Sequence, residues 1–158
     1  MRRKGISPVI ATVIIVAVAI AIAIAVAFWM TGIIGLFTRF EKVEVSYCYA
    51  EWNHGSNQWT VYIKVRNTGS ADATITNIFV NGKPYSAWND ITSVKIGSSS
   101  PPSQTFDPNT GYALPSGTTA YIEITIGTSN GEFNHGMSVE FKIVTASGQE
   151  YPKMTNLP

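Results

Sequence analysis

One long run of uncharged residues constrains the fold of this 158-residue chain more than any other feature. It extends from Gly5 to Thr38 and contains the stretch VAVAIAIAIAVA, residues 16–27, in which small and branched residues alternate. A period of two is typical of a β-strand, but a membrane β-strand alternates apolar with polar residues, and here both sets are apolar. Because a helix satisfies its own backbone hydrogen bonds in lipid and about 20 apolar residues cross a bilayer, we predict a membrane-spanning helix.

The start of the chain favours an anchor over an ordinary cleaved secretory signal. Arg2, Arg3 and Lys4 precede the apolar run and no acidic residue occurs before Glu41, a charge pattern typical of a helix whose N-terminus is cytoplasmic. A secretory signal has an apolar region of about 7–15 residues that ends at its cleavage site. This run is much longer, and its Ala-x-Ala matches lie in its middle.

On a helix, the alternation places alanines in two stripes about 200° apart. The stripes are Ala17, Ala21 and Ala25, and Ala19, Ala23 and Ala27. Small residues repeated every four positions let neighbouring helix backbones approach closely, so the pattern favours packing among copies of the helix. The alternative is a plain lipid anchor whose alanines have no packing role. Gly32 and Gly35, near the end of the run, are predicted to form a hinge.

The segment KGISPVIATVII, residues 4–15, resembles the N-terminus of archaeal type IV pilins, which are relatives of the archaeal flagellins. The resemblance covers about the first forty residues and rests on the basic-Gly-apolar junction together with the long helix. It implies a class III signal peptide that a prepilin peptidase cuts in the cytoplasm. Carried over by position, Lys4 precedes the last leader residue Gly5, and Ile6 becomes the mature N-terminus. Bacterial relatives usually carry a glutamate where this chain has Ile10, so apolar packing would set the helix register.

The resemblance implies a structural subunit of a surface filament, adhesive by default, that polymerises with its own copies after leader removal. Its domains would be a leader over 1–5, a hydrophobic helix over 6–40 and an outer sheath domain over 41–158. The precursor would lie in the cell membrane with its N-terminus in the cytoplasm, and the mature protein in an extracellular filament. The implied partners are the peptidase, the pilus assembly machinery and, given the many Ser and Thr residues, O-linked glycans.

After Phe40 the composition changes to alternating segments separated by turn residues. Asn81-Gly82 is the strongest hairpin signal and Ser147-Gly148 is a weaker one, while residues 98–103 are predicted to form an exposed loop. About seven strands predict an antiparallel Ig-like β-sandwich, which together with the helix makes an α+β chain. The alternating segments are 43–50, 58–67, 73–80, 91–96, 119–126 and 137–145.

The sequence contains no recognisable catalytic, cofactor or metal motif, so we expect no enzyme, no cofactor and, with a net charge of +1, no nucleic-acid partner. Asn53-His54-Gly55 and Asn134-His135-Gly136 are interpreted as turns and not as a metal site. Cys48, the only cysteine, is interpreted as a buried thiol. The aromatic residues are expected mostly to pack the core rather than line a sugar-binding surface. Those considered are Trp52, Trp59, Trp88, Tyr85 and Tyr112.

A second function remains open from the sequence: a single-pass membrane protein that displays an Ig-like binding module. It shares the helix and the sandwich with a pilin. It requires neither the Lys4-Gly5 junction nor the paired alanine stripes.

Overall fold

The structure is a computed structural model that describes residues 7–37 and 39–158. The chain divides into two compact units, with the boundary between Arg39 and Phe40. The first unit contains one helix and the second contains the β-strands, in agreement with the predicted α+β class.

Helix α1 comprises Pro8–Phe37. Its first turn is closed by the backbone N–H of Ala11, which donates to the carbonyl oxygen of Ser7 at 3.1 Å. Pro8 is therefore the first helical residue, where its missing N–H costs no hydrogen bond and its fixed φ suits the helix. The helix is apolar on every side and, over Pro8–Gly35, is long and apolar enough to cross a membrane.

The second unit contains ten strands among its described residues, and a short 3-10 helix at Tyr85–Ala87. Six of the strands correspond to the six predicted segments, with bounds that shift by a few residues. The strands are β1 (Val43–Asn53), β2 (Gln58–Asn67), β3 (Ala73–Val80), β4 (Lys83–Pro84), β5 (Ile91–Gly97), β6 (Gln104–Thr105), β7 (Tyr112–Leu114), β8 (Thr119–Ile126), β9 (Ser138–Thr145) and β10 (Glu150–Asn156).

The strands form two antiparallel sheets. The order is β1-β2-β8-β5-β6 in the first sheet and β10-β9-β3-β4 in the second, where β7 also pairs with β3. If the seven longest strands are lettered A to G along the chain, the sheets read A-B-E-D and G-F-C. This is the strand order of a constant-type immunoglobulin domain, so the predicted Ig-like sandwich is confirmed.

The core of the sandwich follows directly from the alternation of its strands. Every second residue of β2 and β8 is buried, and their intervening residues are half-buried or exposed on the outer face of the sheet. The disulfide of antibody domains is absent, and Trp59, which is 1% exposed, is among the largest fully buried side chains of the core. The buried apolar residues of these two strands are Trp59, Val61, Ile63, Val65, Ala120, Ile122, Ile124 and Ile126.

Both predicted hairpins are present. Asn81 and Gly82 connect β3 to β4 with φ values of 48° and 79°, the left-handed pair that a type I′ turn requires. Gly148, with φ 81°, lies in the connection between β9 and β10. Residues 98–103 form the predicted loop, although Pro102 within it is buried.

The beginning of the sandwich is fixed by a turn that follows β2. The carbonyl oxygen of Phe40 accepts hydrogen bonds from the backbone N–H groups of Ser70 and Ala71, both at 3.0 Å. The carbonyl oxygen of Lys42 accepts two more, from Thr68 and Gly69. We call residues 40–42 the entry segment, because the chain passes through it from the first unit into β1.

Candidate functional site

The surface of α1 is the candidate functional site, because it exposes apolar side chains that a folded protein normally buries. Among the described side chains from Ser7 to Gly35, Ala11 and Ile33 are half-buried and the rest are exposed. Val9 is 69% exposed, Ile15 67% and Phe28 76%. An apolar surface of this extent marks a site of contact with a membrane or with another protein.

Both predicted alanine stripes lie on continuous helix within α1. Successive members of a stripe are one turn apart, about 6 Å along the axis at 1.5 Å per residue. Branched residues separate the stripes, so each stripe forms a shallow groove between two ridges. An open depression of about 370 Å³ beside Ala17 shows this relief, with Thr12, Val13, Val16 and Ile20 as its other lining residues.

The C-terminal end of α1 differs in composition from its middle. Thr31 donates its hydroxyl to the carbonyl oxygen of Ala27, one turn earlier, so its polar group is satisfied within the helix. The helix continues through Gly32 and Gly35, and the space around each is open. A hinge at these glycines stays a prediction.

The predicted processing junction, Lys4, Gly5 and Ile6, lies outside the described residues. Nothing in the structure bears on its cleavage, and it stays a prediction from the resemblance.

Several candidate residues in the sandwich prove to be structural, beginning with the two Asn-His-Gly tripeptides, which form turns as the sequence predicts. The side-chain oxygen of Asn53 accepts the N–H of Gly55 at 2.9 Å, and Gly136 has φ 80°. His135 packs on Trp52, with ring centroids 4.4 Å apart. Within residues 7–37 and 39–158, no group of three or more His, Cys, Asp or Glu side chains is placed to hold a metal ion.

The aromatic residues considered for a sugar-binding surface pack the core, as the sequence predicts for most of them. Trp59 is buried, and the other four are half-buried against the core. Cys48 is half-buried rather than fully buried, and burial raises the pKa of its thiol to about 11. A thiol with this pKa is protonated and unreactive at neutral pH.

Asp90, which sequence reasoning missed, is a buried carboxylate that fixes a loop. Its oxygens accept the backbone N–H of Asn130 at 2.8 Å and that of Glu132 at 3.0 Å, and its own N–H donates to the Glu132 carboxylate at 2.9 Å. Burial disfavours its charge, but the hydrogen bonds from Asn130, Glu132 and Ser129 prevail and hold the pKa of Asp90 below its usual value. All its contacts are internal, so its role is to order the segment before β9.

A second surface missed by sequence reasoning lies on the outer side of the first sheet. We call it the tyrosine face and define it by four side chains on β1, β2 and β8: Tyr47, Tyr49, Tyr62 and Tyr121. Tyr49 lies directly opposite Tyr62, with ring centroids 5.2 Å apart and ring planes at 31°. Tyr47 and Tyr49 are 5.5 Å apart at 47°. The spacing of Tyr47 and Tyr49 put them on one face, but the register between strands was needed to add the other two.

No protein-family model matches the chain, and no curated protein matches it. Solved structures do resemble it. The apo PCuAC domain of PmoF2 is 12% identical, with a TM-score of 0.50, over 75% of this chain and 94% of that one. A flagellar-like filament protein is 13% identical, with a TM-score of 0.41, over 96% of this chain and 98% of that one. The archaeal flagellum of Methanospirillum hungatei strain JF1 is 16% identical, with a TM-score of 0.41, over 94% of this chain and 88% of that one.

These likenesses differ in what they cover. The PCuAC domain of PmoF2 covers three quarters of this chain, and this likeness agrees with the β-sandwich fold. The two filament proteins match nearly the whole chain, at TM-scores that support no argument about function.

Proposed function

We propose that the chain is the structural subunit of an archaeal type IV pilus. After removal of residues 1–5, α1 would leave the membrane and pack against copies of itself in the filament core. The sandwich would form the outer sheath. The chain would carry out no catalysis, and its activity would be polymerisation at the cell surface, with adhesion as the default role.

The observation that carries this proposal is the exposure of α1 on all sides. Branched side chains such as Ile20 and Ile22 are 55% and 58% exposed, whereas Ile124 of the sandwich is 0% exposed. Burying one such side chain stabilises a protein by about 1.5–3 kcal/mol. A helix apolar all round therefore needs surroundings on every side, which lipid provides before assembly and neighbouring helices provide afterwards.

The two alanine stripes support packing among helices over residence in lipid alone. Between apolar helices, association depends on close van der Waals contact, and alanine permits the backbones to approach. Two stripes on different sides supply contacts to more than one neighbour. This is what a helix in the centre of a polymer requires, and a single-pass anchor has no use for it.

The junction before α1 gives the first test. Mass spectrometry of the protein purified from its native cells is expected to find a mature N-terminus at Ile6. An intact N-terminus, or cleavage after one of the Ala-x-Ala sequences, would contradict the pilin proposal and favour a membrane-anchored binding module.

The alanine stripes give the second test, in which one alanine of each stripe is replaced by a larger residue. Ala21→Leu and Ala23→Leu are expected to abolish filaments in electron micrographs, because each fills a groove that a neighbouring helix would enter. Both variants remain apolar, so membrane insertion is expected to be unchanged. Val18→Leu, which adds one methylene to a ridge, is the matched control and is expected to assemble. Normal filaments from both alanine variants would refute the packing argument.

A further inference from the structure

Three side chains of α1 can form hydrogen bonds: Thr12, Trp29 and Thr31. The hydroxyl of Thr12 donates to the carbonyl oxygen of Val9 at 2.9 Å, just as that of Thr31 donates to Ala27. Trp29 is 65% exposed, and its indole N–H donates to no group within residues 7–37 and 39–158. An indole can only donate, whereas a threonine oxygen whose hydrogen is engaged still accepts. Among the described residues, α1 therefore presents one unpaired donor and two threonine oxygens that can accept.

The indole N–H of Trp29 meets different surroundings before and after assembly. Trp29 lies 21 residues after Pro8, which is about 32 Å along the helix axis. Because the hydrocarbon core of a bilayer is about 30 Å thick, the indole of a membrane-spanning precursor would lie near the headgroups, where lipid and water accept its hydrogen bond. A core of packed helices excludes both, and an N–H buried there without an acceptor is strongly unfavourable. Under the proposed function, assembly therefore requires a new acceptor for Trp29 from a neighbouring chain.

The depression beside Ala17 offers both an acceptor and space for an indole ring. Its volume is about 370 Å³, and its lining is apolar except for Thr12 at its N-terminal end. Ala17 forms a low point between larger side chains, because it ends at Cβ. A packed core leaves few voids, so a neighbouring copy has to fill this depression with a side chain of its own. Trp29 is the largest side chain on α1 and carries the donor that the Thr12 oxygen can accept.

Trp29 and the depression lie on different sides of α1. At about 100° per residue, Trp29 is half a turn around the axis from Ile20, and the other lining residues are about 100° to 160° away from it. Two helices that used both features on one shared face would close as a dimer. Features on different sides instead join each copy to the next one head-to-tail, and such a contact repeats without limit in an open helical filament. The arrangement therefore fits a second copy of this chain as the occupant of the depression.

We propose that Trp29 of one copy fills the depression beside Ala17 of a neighbouring copy and donates its indole N–H to the Thr12 hydroxyl there. The inference rests on the proposed function, because it needs parallel copies of α1 in one filament. Seventeen residues separate Thr12 from Trp29, so the contact offsets the two helices by about 26 Å along their axes. Alanine recurs at successive turns, so apolar packing alone permits neighbouring helices to slide by one turn, whereas a single polar contact fixes one register.

A double-mutant cycle on purified filaments tests this hydrogen bond. Thr12→Val keeps the shape of the side chain and removes the acceptor, and Trp29→Phe keeps an aromatic ring and removes the donor. The measured quantity is the rate at which filaments release subunits into a mild detergent, followed by sedimentation. Thr12→Val is expected to raise this rate about tenfold in the parent chain, and less than about twofold when Trp29→Phe is already present, because the hydrogen bond is then gone.

Thr31→Val is the matched control, because it removes the other threonine oxygen of α1 by the same change. It is expected to leave the release rate within about twofold of the parent rate, with or without Trp29→Phe. Electron cryo-microscopy of parent filaments supplies a measurement that needs no variant, so it decides the proposal even where a variant fails to assemble. It is expected to show the indole of Trp29 beside Thr12 of a neighbour whose helix is offset by about 26 Å.

Three results would overturn this contact and leave the proposed function in place. They are equal effects of Thr12→Val with and without Trp29→Phe, coupling of Trp29→Phe to Thr31→Val instead, and filaments in which the depression beside Ala17 holds another side chain. In each case filaments form and the mature N-terminus is Ile6. A parent chain that forms no filaments overturns both proposals, since the copies that Trp29 would contact are then absent.

Discussion

Helix α1 and the sandwich use the same residues in opposite ways. Ile20 and Ile24 of α1 are 55% and 52% exposed, whereas Ile122 and Ile124 of β8 are 1% and 0% exposed. The sandwich buries its apolar residues within its own two sheets. The helix leaves them exposed, so the sandwich has its own core, and under the proposed function the helix would supply one half of an interface.

The same contrast is visible in two alternating stretches. VAVAIAIAIAVA in α1 and TAYIEITI in β8 both repeat every two residues. In β8 the alternate positions are polar or amphipathic, which suits a strand with one buried face. In α1 the alternate positions are alanine. A strand with this pattern would have no polar face to expose to water, whereas a helix with it has grooves lined by alanine. The chemistry of the second set of positions therefore decides the structure, and the period alone does not.

The largest expected effect tests whether stability resides in the sandwich and not in the helix. Phe141→Ala removes a ring that is 1% exposed and is expected to lower the free energy of unfolding by about 3–5 kcal/mol. Phe28→Ala, the same truncation at a residue of α1 that is 76% exposed, is expected to leave it unchanged. Urea unfolding of the full chain in detergent, followed by tryptophan fluorescence, measures both. An equal loss in the two variants would show that the helix contributes to the folded core.

Most of the helix and the longer strands of the sandwich could be predicted from the sequence. The helix was predicted over 6–40 and is observed over Pro8–Phe37, because a long uncharged run has one stable backbone in lipid. Six strands and both hairpins were also predicted, since alternation and Asn-Gly turns are local signals. The four strands that were missed lack such signals: β4, β6 and β7 have two or three residues, and β10 contains Pro152 without alternating burial.

The surfaces were harder to predict than the elements. The alanine stripes follow from helix geometry alone, so they are predictable without knowledge of the fold. The tyrosine face depends on the pairing of Tyr49 with Tyr62 and of Lys64 with Tyr121, which join residues distant in sequence. The hydrogen bonds of Asp90 to Asn130 and Glu132 depend in the same way on which loops meet at one end of the sandwich.

The second expected effect tests whether the sandwich has a rigid beginning of its own. A Cβ atom at Gly69 would lie 2.5 Å from the backbone nitrogen of Lys42 and 2.5 Å from the carbonyl oxygen of Phe40. Gly69→Ala therefore displaces the entry segment and is expected to cost about 3 kcal/mol of unfolding free energy. Gly55→Ala is the matched control, because its Cβ would meet only the Asn53 side chain at 3.4 Å. Similar stability of the two variants would indicate a loosely held entry segment.

The third expected effect tests the contribution of the buried carboxylate of Asp90 to the stability of the sandwich. Asp90 has a lower pKa folded than unfolded, so its contribution is complete above the ordinary carboxyl pKa of about 3.9 and is lost as the pH falls through the lower folded value. Asp90→Asn is expected to cost about 2 kcal/mol at neutral pH and to reduce the loss of stability in acid. Urea unfolding between neutral pH and about pH 2 measures this, with the exposed carboxylate variant Glu51→Gln as control. A parent and an Asp90→Asn variant with parallel pH profiles would contradict the assignment.

The smallest expected effect concerns an exposed ion pair on the outer face of the first sheet. Lys95 and Glu123 pair at 3.7 Å, and the lysine side chain is 43% exposed. Water and salt screen such a pair, so Lys95→Ala is expected to lower the free energy of unfolding by less than about 1 kcal/mol, and by less still in high salt. A larger, salt-independent loss would mean that this face contributes to stability as the core does. A small loss would mean that this ion pair on the outer face of the first sheet, like the exposed side chains of α1, is not needed for the fold. The two surfaces differ in chemistry, because α1 exposes apolar groups, whereas the outer face of the sheet carries tyrosine rings and charged side chains.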